Sequence, residues 1–419
     1  MREIVAQVDL LKEEIVQTLQ DMVRIPTINP PGEKYGVFKD YFENHLDKLG
    51  YETEILEVPE EKLSELAPLG CGLPRYNIVG RLSGTSKNGK CICLNGHYDV
   101  VPVGNGWTKD PFGGEVIDGK LYGRGASDMK SGLVTQIFAV EALRRSGLQW
   151  NGEIIQTAVP DEETVGNRNA GTGYLVEQGI ISKDKVDTVI ITEPFEPNGI
   201  GIGHKGAIWG EITVLGKQAH GSQPSRGINA VEMMAEFLHL VNVHLQPKLQ
   251  QRTTDLNVTP DESIYSTLSF DTIKGGETTN IVPDKCNVTF NRRLLPVETI
   301  EGARAEIQAI LNLMKEKDQR FRYEYREFYT TEHVLVPERI PVAEVAKEVI
   351  TDLGMSPKFL ITAGSDDQRF VVNNAGIENC IIYGPGKTSE AHQADEHIDI
   401  EDLILGTKAL ALMLYKMLA

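Results

Sequence analysis

A chain of 419 residues is longer than one ordinary hydrophobic core serves, so its length alone predicts at least two domains. A hydrophobic fraction of 41% and a charged fraction of 24% are those of a soluble globular protein. With 42 basic against 60 acidic side chains the net charge is −18, which argues against nucleic-acid or anionic-membrane partners, since either calls for a basic surface.

No apolar run reaches bilayer length. The opening MREIVAQVDLLKEEIVQTLQDMV reads as an amphipathic helix carrying acids rather than as a signal peptide. Cys71, Cys91, Cys93, Cys286 and Cys380 are scattered and form no disulfide framework, which fits a reducing compartment; a cytoplasmic protein is expected.

Apolar positions at helical spacing (Ile4, Val8, Leu11, Ile15, Leu19, Met22, Val23) predict a helix over 4–24, ended by Pro26. A second helix is expected over 35–49, closed by Gly50, and a strand over 51–58. Residues 59–75, rich in Pro and Gly, read as a loop. Strands are expected over 77–82 and 90–94 around a Gly/Ser/Asn turn. The second leads into Leu94-Asn-Gly-His97-Tyr-Asp99-Val-Val-Pro102, where His97 and Asp99, two apart, leave one face of an extended chain. That arrangement suits an imidazole metal ligand with a carboxylate holding its ring.

The stretch Gly123-Arg-Gly-Ala-Ser-Asp128-Met-Lys-Ser-Gly132 precedes an apolar helix over 133–145. Asp128 thus stands where a capping residue also belongs. The Gly-rich turn lacks both the GK[ST] ending of a P-loop and the dinucleotide fingerprint. Apolar strands over 153–159 and 186–192 end on Asp161-Glu162-Glu163 and on Glu193. Together with the His97 strand they describe an α/β sheet whose site forms at the carboxyl ends of parallel strands.

From residue 205 the pattern changes. A strand (208–215), Gln218-Ala-His220-Gly, a helix (227–243), two strands (263–273, 286–294), a helix (300–314) and a strand (320–325) follow one another. This β-α-β-β-α-β order predicts an inserted ferredoxin-like α+β domain over 205–325, about 120 residues long. The first domain then resumes over 326–419, with a helix (342–353), strands (357–362, 379–383), the loop carrying His392, and a closing helix (400–417).

His97, Asp99, Asp128, Glu162, Glu163, Glu193 and His392 make a mixed nitrogen and oxygen set. It suits zinc, with cobalt or manganese tolerated. A pair of metals sharing a carboxylate uses the set economically. Of the adjacent Glu162 and Glu163, one can bind metal while the other holds a water and accepts its proton.

His97-Tyr-Asp99, Gly123-Arg-Gly-Ala-Ser-Asp128, Asp161-Glu162-Glu163, Glu193-Pro and Ala391-His392, in this order, resemble the M20 metallopeptidase family, in its acetylornithine deacetylase / succinyl-diaminopimelate desuccinylase branch. The resemblance spans nearly the whole chain. It implies a catalytic domain (1–204, 326–419) of zinc-exopeptidase type, and two zinc ions per subunit. Asp128 would bridge the ions, His97 and Glu193 would complete one, and Glu163 and His392 the other. Glu162 would be the general base and Asp99 the residue orienting His97. The inserted domain would serve as a lid and form a homodimer. Its His220 would then stabilise the oxyanion in the partner's site, where charge grows on the carbonyl oxygen.

The resemblance further implies that Arg293 and Asn280 bind substrate, with Gly364 and Ser365 at the carboxylate end. Arg292 and Arg369 are rivals for the guanidinium. His45, His239, His244, His333 and His397 have no motif around them. In the family, Glu rather than Asp at position 193 goes with deacylases and carboxypeptidases, which favours an N-acyl amino acid. A carboxypeptidase or dipeptidase acting by the same chemistry is the alternative. A non-catalytic ligand-binding homologue is the alternative of another class.

Overall fold

The computed structural model describes residues 1–86, 88–164 and 166–419. Two compact units emerge: Met1–Gly203 with Leu335–Leu360 and Asp366–Ala419, and His204–Val334 with Ile361–Ser365. Among the described residues no helix is long and apolar enough to cross a membrane.

The first unit is built on a twisted sheet. Seven of its strands run in the order Glu52–Glu57, Tyr76–Ser83, Glu153–Val159, Cys91–His97, Thr188–Ile191, Cys380–Ile382, Gly199–His204, and Lys358–Thr362 comes next. The four central ones are mutually parallel, with His97 opposite Val159, Asn95 opposite Ile191 and Ile382 opposite Ile191. Tyr76–Ser83 and Glu52–Glu57 continue one side antiparallel. Apolar runs such as Cys91-Ile-Cys-Leu94 are buried on both faces, as parallel strands between helical layers require.

The helix expected over 133–145 is Lys130–Arg145, and every residue from Lys130 to Leu143 is buried. It packs on the Cys91–His97 strand and under the helices Arg2–Leu10, Lys12–Val23 and Ile400–Leu418. Leu133, Ile137 and Leu143 are fully enclosed there, each contributing about 2 kcal/mol of burial. This core holds the helix start, and with it Asp128, against the strand ends.

The second unit is a four-stranded antiparallel sheet in the order Thr267–Gly275, Lys285–Leu294, Gly206–Leu215, Arg322–Thr331. The helices Ala230–His244 and Ile300–Lys317 cover one face. Ile208, Ile212, Val214, Val288 and Phe290 alternate inward against Met234, Phe237, Ile307 and Leu311. Asn229 and Thr299 cap the two helices through their side chains. Strand order and helix placement are ferredoxin-like.

Several boundaries differ from the sequence reading. The helix over 4–24 is two, Arg2–Leu10 and Lys12–Val23, with a turn at Leu11. The loop over 59–75 contains a helix, Glu60–Leu66, entered from extended Pro59. Glu60 and Glu61 suit its N-terminal dipole and Leu63 and Leu66 are buried. The strand over 263–273 begins only at Thr267, because Asp261–Ser263 form a short 3-10 turn, and that over 320–325 runs on as Arg322–Thr331. A hairpin, Glu115–Ile117 with Lys120–Tyr122, was not expected. Lys87, which falls between the strands expected over 77–82 and 90–94, lies outside the described residues.

Candidate metal centre

The parallel strands deliver their side chains to one edge. His97 closes its strand, Asp161-Glu162-Glu163 follow Val159, and Glu193 follows Ile191. The chain beyond Ile382 returns with His392. Asp128 enters from the loop before Lys130, joined to Met129 by a cis peptide bond. All of these residues belong to the first unit.

His97 Nε2 lies 3.1 Å from Asp128 Oδ1 and 3.4 Å from Glu193 Oε1. His392 Nε2 lies 2.9 Å from Glu163 Oε2 and 3.6 Å from Asp128 Oδ2. Asp128 therefore turns one oxygen towards each histidine. Donor atoms of His97, Glu162 and Glu193 lie within 4.8 Å of one another, as do those of His97, Asp128 and Glu163.

The strand ends at His97, so Asp99 stands beyond it. The ring's Nδ1 is 2.9 Å from the Asp99 carbonyl oxygen and 3.4 Å from Asp99 Oδ1. A carbonyl only accepts, so Nδ1 carries a hydrogen, and Nε2 is the ring nitrogen that faces Asp128 and Glu193. The Asp99 carboxylate accepts the backbone N–H groups of Glu162 and Glu163, both at 3.2 Å. It thus ties the His97 strand to the acidic turn.

The charges do not balance among the side chains. Burial, then the charge of Glu193, pushes the Glu162 carboxyl well above its ordinary range. Burial, opposed by His97 and reinforced by Asp128, pushes Glu193 up to about 8. Burial and then Asp128 raise Glu163. The hydrogen bond with Glu163 raises His392 to about 9. For His97, burial disfavours the charged ring, yet Glu193 and the bonds to Asp128 and Asp99 outweigh it. Buried carboxylates crowded around a fixed imidazole Nε2 fit divalent cations, which would displace its proton and supply the missing positive charge.

The remaining expected residues belong to the second unit. His220 is exposed, and Ser222 N–H donates to its Nδ1 at 3.1 Å, which leaves the ring hydrogen on Nε2. Asn280 adjoins it, its carbonyl accepting from Gly221 N–H at 2.7 Å. Ser365 Oγ is 2.6 Å from Tyr329 OH, and Gly364 precedes it. Arg292 is fully buried and committed to Glu298 and Glu306. Arg293 points to the other face, with its guanidinium 5.3 Å from the Trp209 ring and a buried Nη1 that has no hydrogen-bond partner among the described residues. Arg369, in the first unit, stacks on Phe370 at 4.4 Å.

The sequence reading missed Glu396. Its Oε1 accepts the backbone N–H groups of Gly125, Ser127 and Asp128 at 3.0, 2.9 and 3.0 Å, and its Oε2 pairs with Arg124 at 2.7 Å. One buried carboxylate four residues past His392 thereby shapes the loop of Asp128. The only available signal was an acid beside the motif.

A parallel α/β sheet with carboxylates and imidazoles gathered at its strand ends defines a metal-binding hydrolase. Residues 93–416 match Peptidase family M20/M25/M40, and the chain belongs to that family. It is 30% identical to a succinyl-diaminopimelate desuccinylase of Methylobacterium radiotolerans over 392 residues, 92% of each chain. The dipeptidase Dug1p of Saccharomyces cerevisiae shares the fold, with a TM-score of 0.77 at 16% identity over 99% of this chain and 98% of that one. So does the Bacillus subtilis YXEP protein, a dinuclear metal binding peptidase of the M20 family, with a TM-score of 0.68 at 15% identity over 98% and 99%. The protein is a metal-dependent hydrolase of amide bonds.

Proposed function

We propose that the protein removes a succinyl- or acetyl-type group from an N-acyl amino acid bearing a free carboxylate. One observation carries the reading: Asp128 presents its two oxygens to two different histidines, with buried carboxylates on either side. His97 and Glu193 would hold one ion, Glu163 and His392 another, and Asp128 both. Zinc suits this donor set, with cobalt or manganese as substitutes. Bound there, such ions would acidify water and polarise the acyl carbonyl.

Glu162 is the base in this reading. It takes a proton from the water that attacks the acyl carbon, and returns it to the amine as the C–N bond breaks. Asp99 fixes both the His97 ring and the backbone of the Glu162 turn. His220, donating from Nε2, meets the oxygen on which negative charge grows. Arg293 receives the substrate carboxylate, helped by Asn280, Gly364 and Ser365. Its support is chemical: both terminal nitrogens of Arg292 are engaged, by two glutamates and by backbone carbonyls, whereas Arg293 keeps a buried terminal nitrogen, Nη1, unpaired among the described residues. The succinyl-type substrate is supported by the relative at 30% identity.

A homodimer through the inserted domain, with His220 serving the partner, belongs to the same reading. Its support is the edge strand Thr267–Gly275, on which Ile273 is 60% exposed. All five cysteines are free, which supports a reducing, cytoplasmic location.

The test uses purified protein reloaded with zinc or cobalt and offered N-succinyl-diaminopimelate, acetylornithine and a panel of dipeptides. Hydrolysis of an acylated amino acid, with two ions bound per chain, is expected. Hydrolysis of peptides alone overturns the deacylase reading. Fewer than one ion per chain after reloading, with no hydrolysis, favours a ligand-binding role instead.

A further inference from the structure

The stretch over 59–75 ends on Arg75, whose side chain is completely buried. We propose that Arg75 is a positioning residue that sets the Glu162–Glu163 turn from behind, an inference that rests on the hydrolase reading above.

Every edge of the guanidinium is committed. Nε donates to Asp161 Oδ2 at 2.6 Å, Nη1 to the Leu73 carbonyl and Nη2 to the Pro31 carbonyl, both at 2.9 Å. One flat face lies over the Tyr35 ring at 5.0 Å. Gly32 and Gly70 form the walls, where a Cβ would come within 2.7 and 2.2 Å of the guanidinium nitrogens. The chamber therefore fits a planar fork, which an ammonium on a flexible stem does not reproduce.

Asp161 passes this anchorage on. It opens the acidic triplet in a left-handed conformation, φ 62°, one that aspartate tolerates better than most residues and that its hydrogen bonds here hold in place. Its Oδ1 accepts from Asn29 Nδ2 at 2.9 Å and from Tyr35 OH at 3.0 Å. The same Asn29 amide donates to Asp99 Oδ2 at 2.9 Å. Asp99 in turn accepts the N–H groups of Glu162 and Glu163. An unbroken chain of hydrogen bonds thus runs from Arg75 to the backbone of the proposed base and its neighbouring ligand. Removing the guanidinium leaves the Asp161 and Asp99 carboxylates facing one another across Asn29. Their repulsion would loosen the turn both of them hold.

The test compares Arg75→Met, Arg75→Lys and the double variant Arg75→Met/Asp161→Asn in the metal-loaded enzyme. It measures kcat and KM, and amide hydrogen exchange over residues 161–164. Arg75→Met is expected to lower kcat about 100-fold, the cost of a misplaced catalytic group, with KM changed by no more than about threefold. Exchange should quicken at the Glu162 and Glu163 amides while the sheet stays protected. The double variant, which buries no unpaired carboxylate, should recover about tenfold of the loss. A folded Arg75→Met whose kcat and exchange match the parent overturns the proposal. So does a loss carried wholly by KM, or a double variant no better than the single. Should Arg75→Met fail to fold, Arg75→Lys carries the same outcomes. If the parent hydrolyses no acyl substrate, exchange still decides: quickening confined to 161–164 supports the role of Arg75, and unchanged exchange removes it.

Discussion

Glu396 accepts the backbone N–H of Asp128 at 3.0 Å, through the same oxygen that accepts from Gly125 and Ser127. Glu396→Ala would strand three buried N–H groups and the Arg124 guanidinium, at a cost of about 3–5 kcal/mol. Urea unfolding should show a lowered midpoint, and the variant should bind metal more weakly because the Asp128 loop is released. Glu396→Gln, which keeps an acceptor for the backbone, should lose less. A Glu396→Ala midpoint equal to the parent's would remove the clamp from the account.

Glu162 is assigned proton transfer, so Glu162→Gln should separate binding from chemistry. The amide fills the same space but cannot accept a proton and hand it on. Metal content should stay at the parental value while kcat falls by about 100- to 10,000-fold. Residual activity within a few-fold of the parent would place the base elsewhere.

Arg293 keeps a terminal nitrogen unpaired among the described residues while both terminal nitrogens of Arg292 are engaged, which predicts opposite phenotypes for adjacent residues. Arg293→Ala should raise KM for an N-acyl amino acid about tenfold or more, the loss of a charged hydrogen bond, with a smaller change in kcat. Arg292→Ala should instead destabilise the fold, because Glu298 and Glu306 lose a buried partner. Steady-state kinetics beside thermal melts distinguishes the two, and a KM effect at Arg292 with none at Arg293 would reverse the assignment.

Lys205 provides a pH signature. Burial, then the nearby charge of Arg293, lowers its ammonium to about 8 from an ordinary 10.5. Between these values the unfolded chain binds a proton that the folded chain does not, so this contribution to stability rises with pH across that window. Below about pH 8 both states are protonated and the penalty of the buried ammonium is fully present. Denaturation of the parent against Lys205→Met should therefore show the difference shifting in favour of the parent as pH rises from 8 to 10.5. A difference that stays flat would mean the amine titrates normally.

What the sequence disclosed follows from where the physical signal is local. An apolar run that stops on His97, on Asp161-Glu162-Glu163 or on Glu193 announces a strand end by itself, and parallel strands bring such ends to one edge. The alternation over 208–215 and the following helix identify the inserted sheet for the same reason. Glu396 and Arg75 were illegible because their importance arises from partners far along the chain: Glu396 meets Gly125 at a separation of 271 residues and Arg75 meets Asp161 at 86. The helix Glu60–Leu66 was too short, with only Leu63 and Leu66 turned inward, to rise above its Pro and Gly surroundings. Arg292 and Arg293 look alike in sequence, and only the pleat, which sends neighbours to opposite faces, tells them apart.

His392 reaches Glu163 across a separation of 229 residues. During synthesis, the portion already made when Glu163 leaves the ribosome therefore has one of the candidate site's two imidazoles, that of His97, and several of its acids, but not the second. On the proposed ligand assignment, tight capture of a cation pair would wait until the loop carrying His392 has been made and has docked, so the order in which the donors arrive would limit mismetallation of a chain that has not yet reached it.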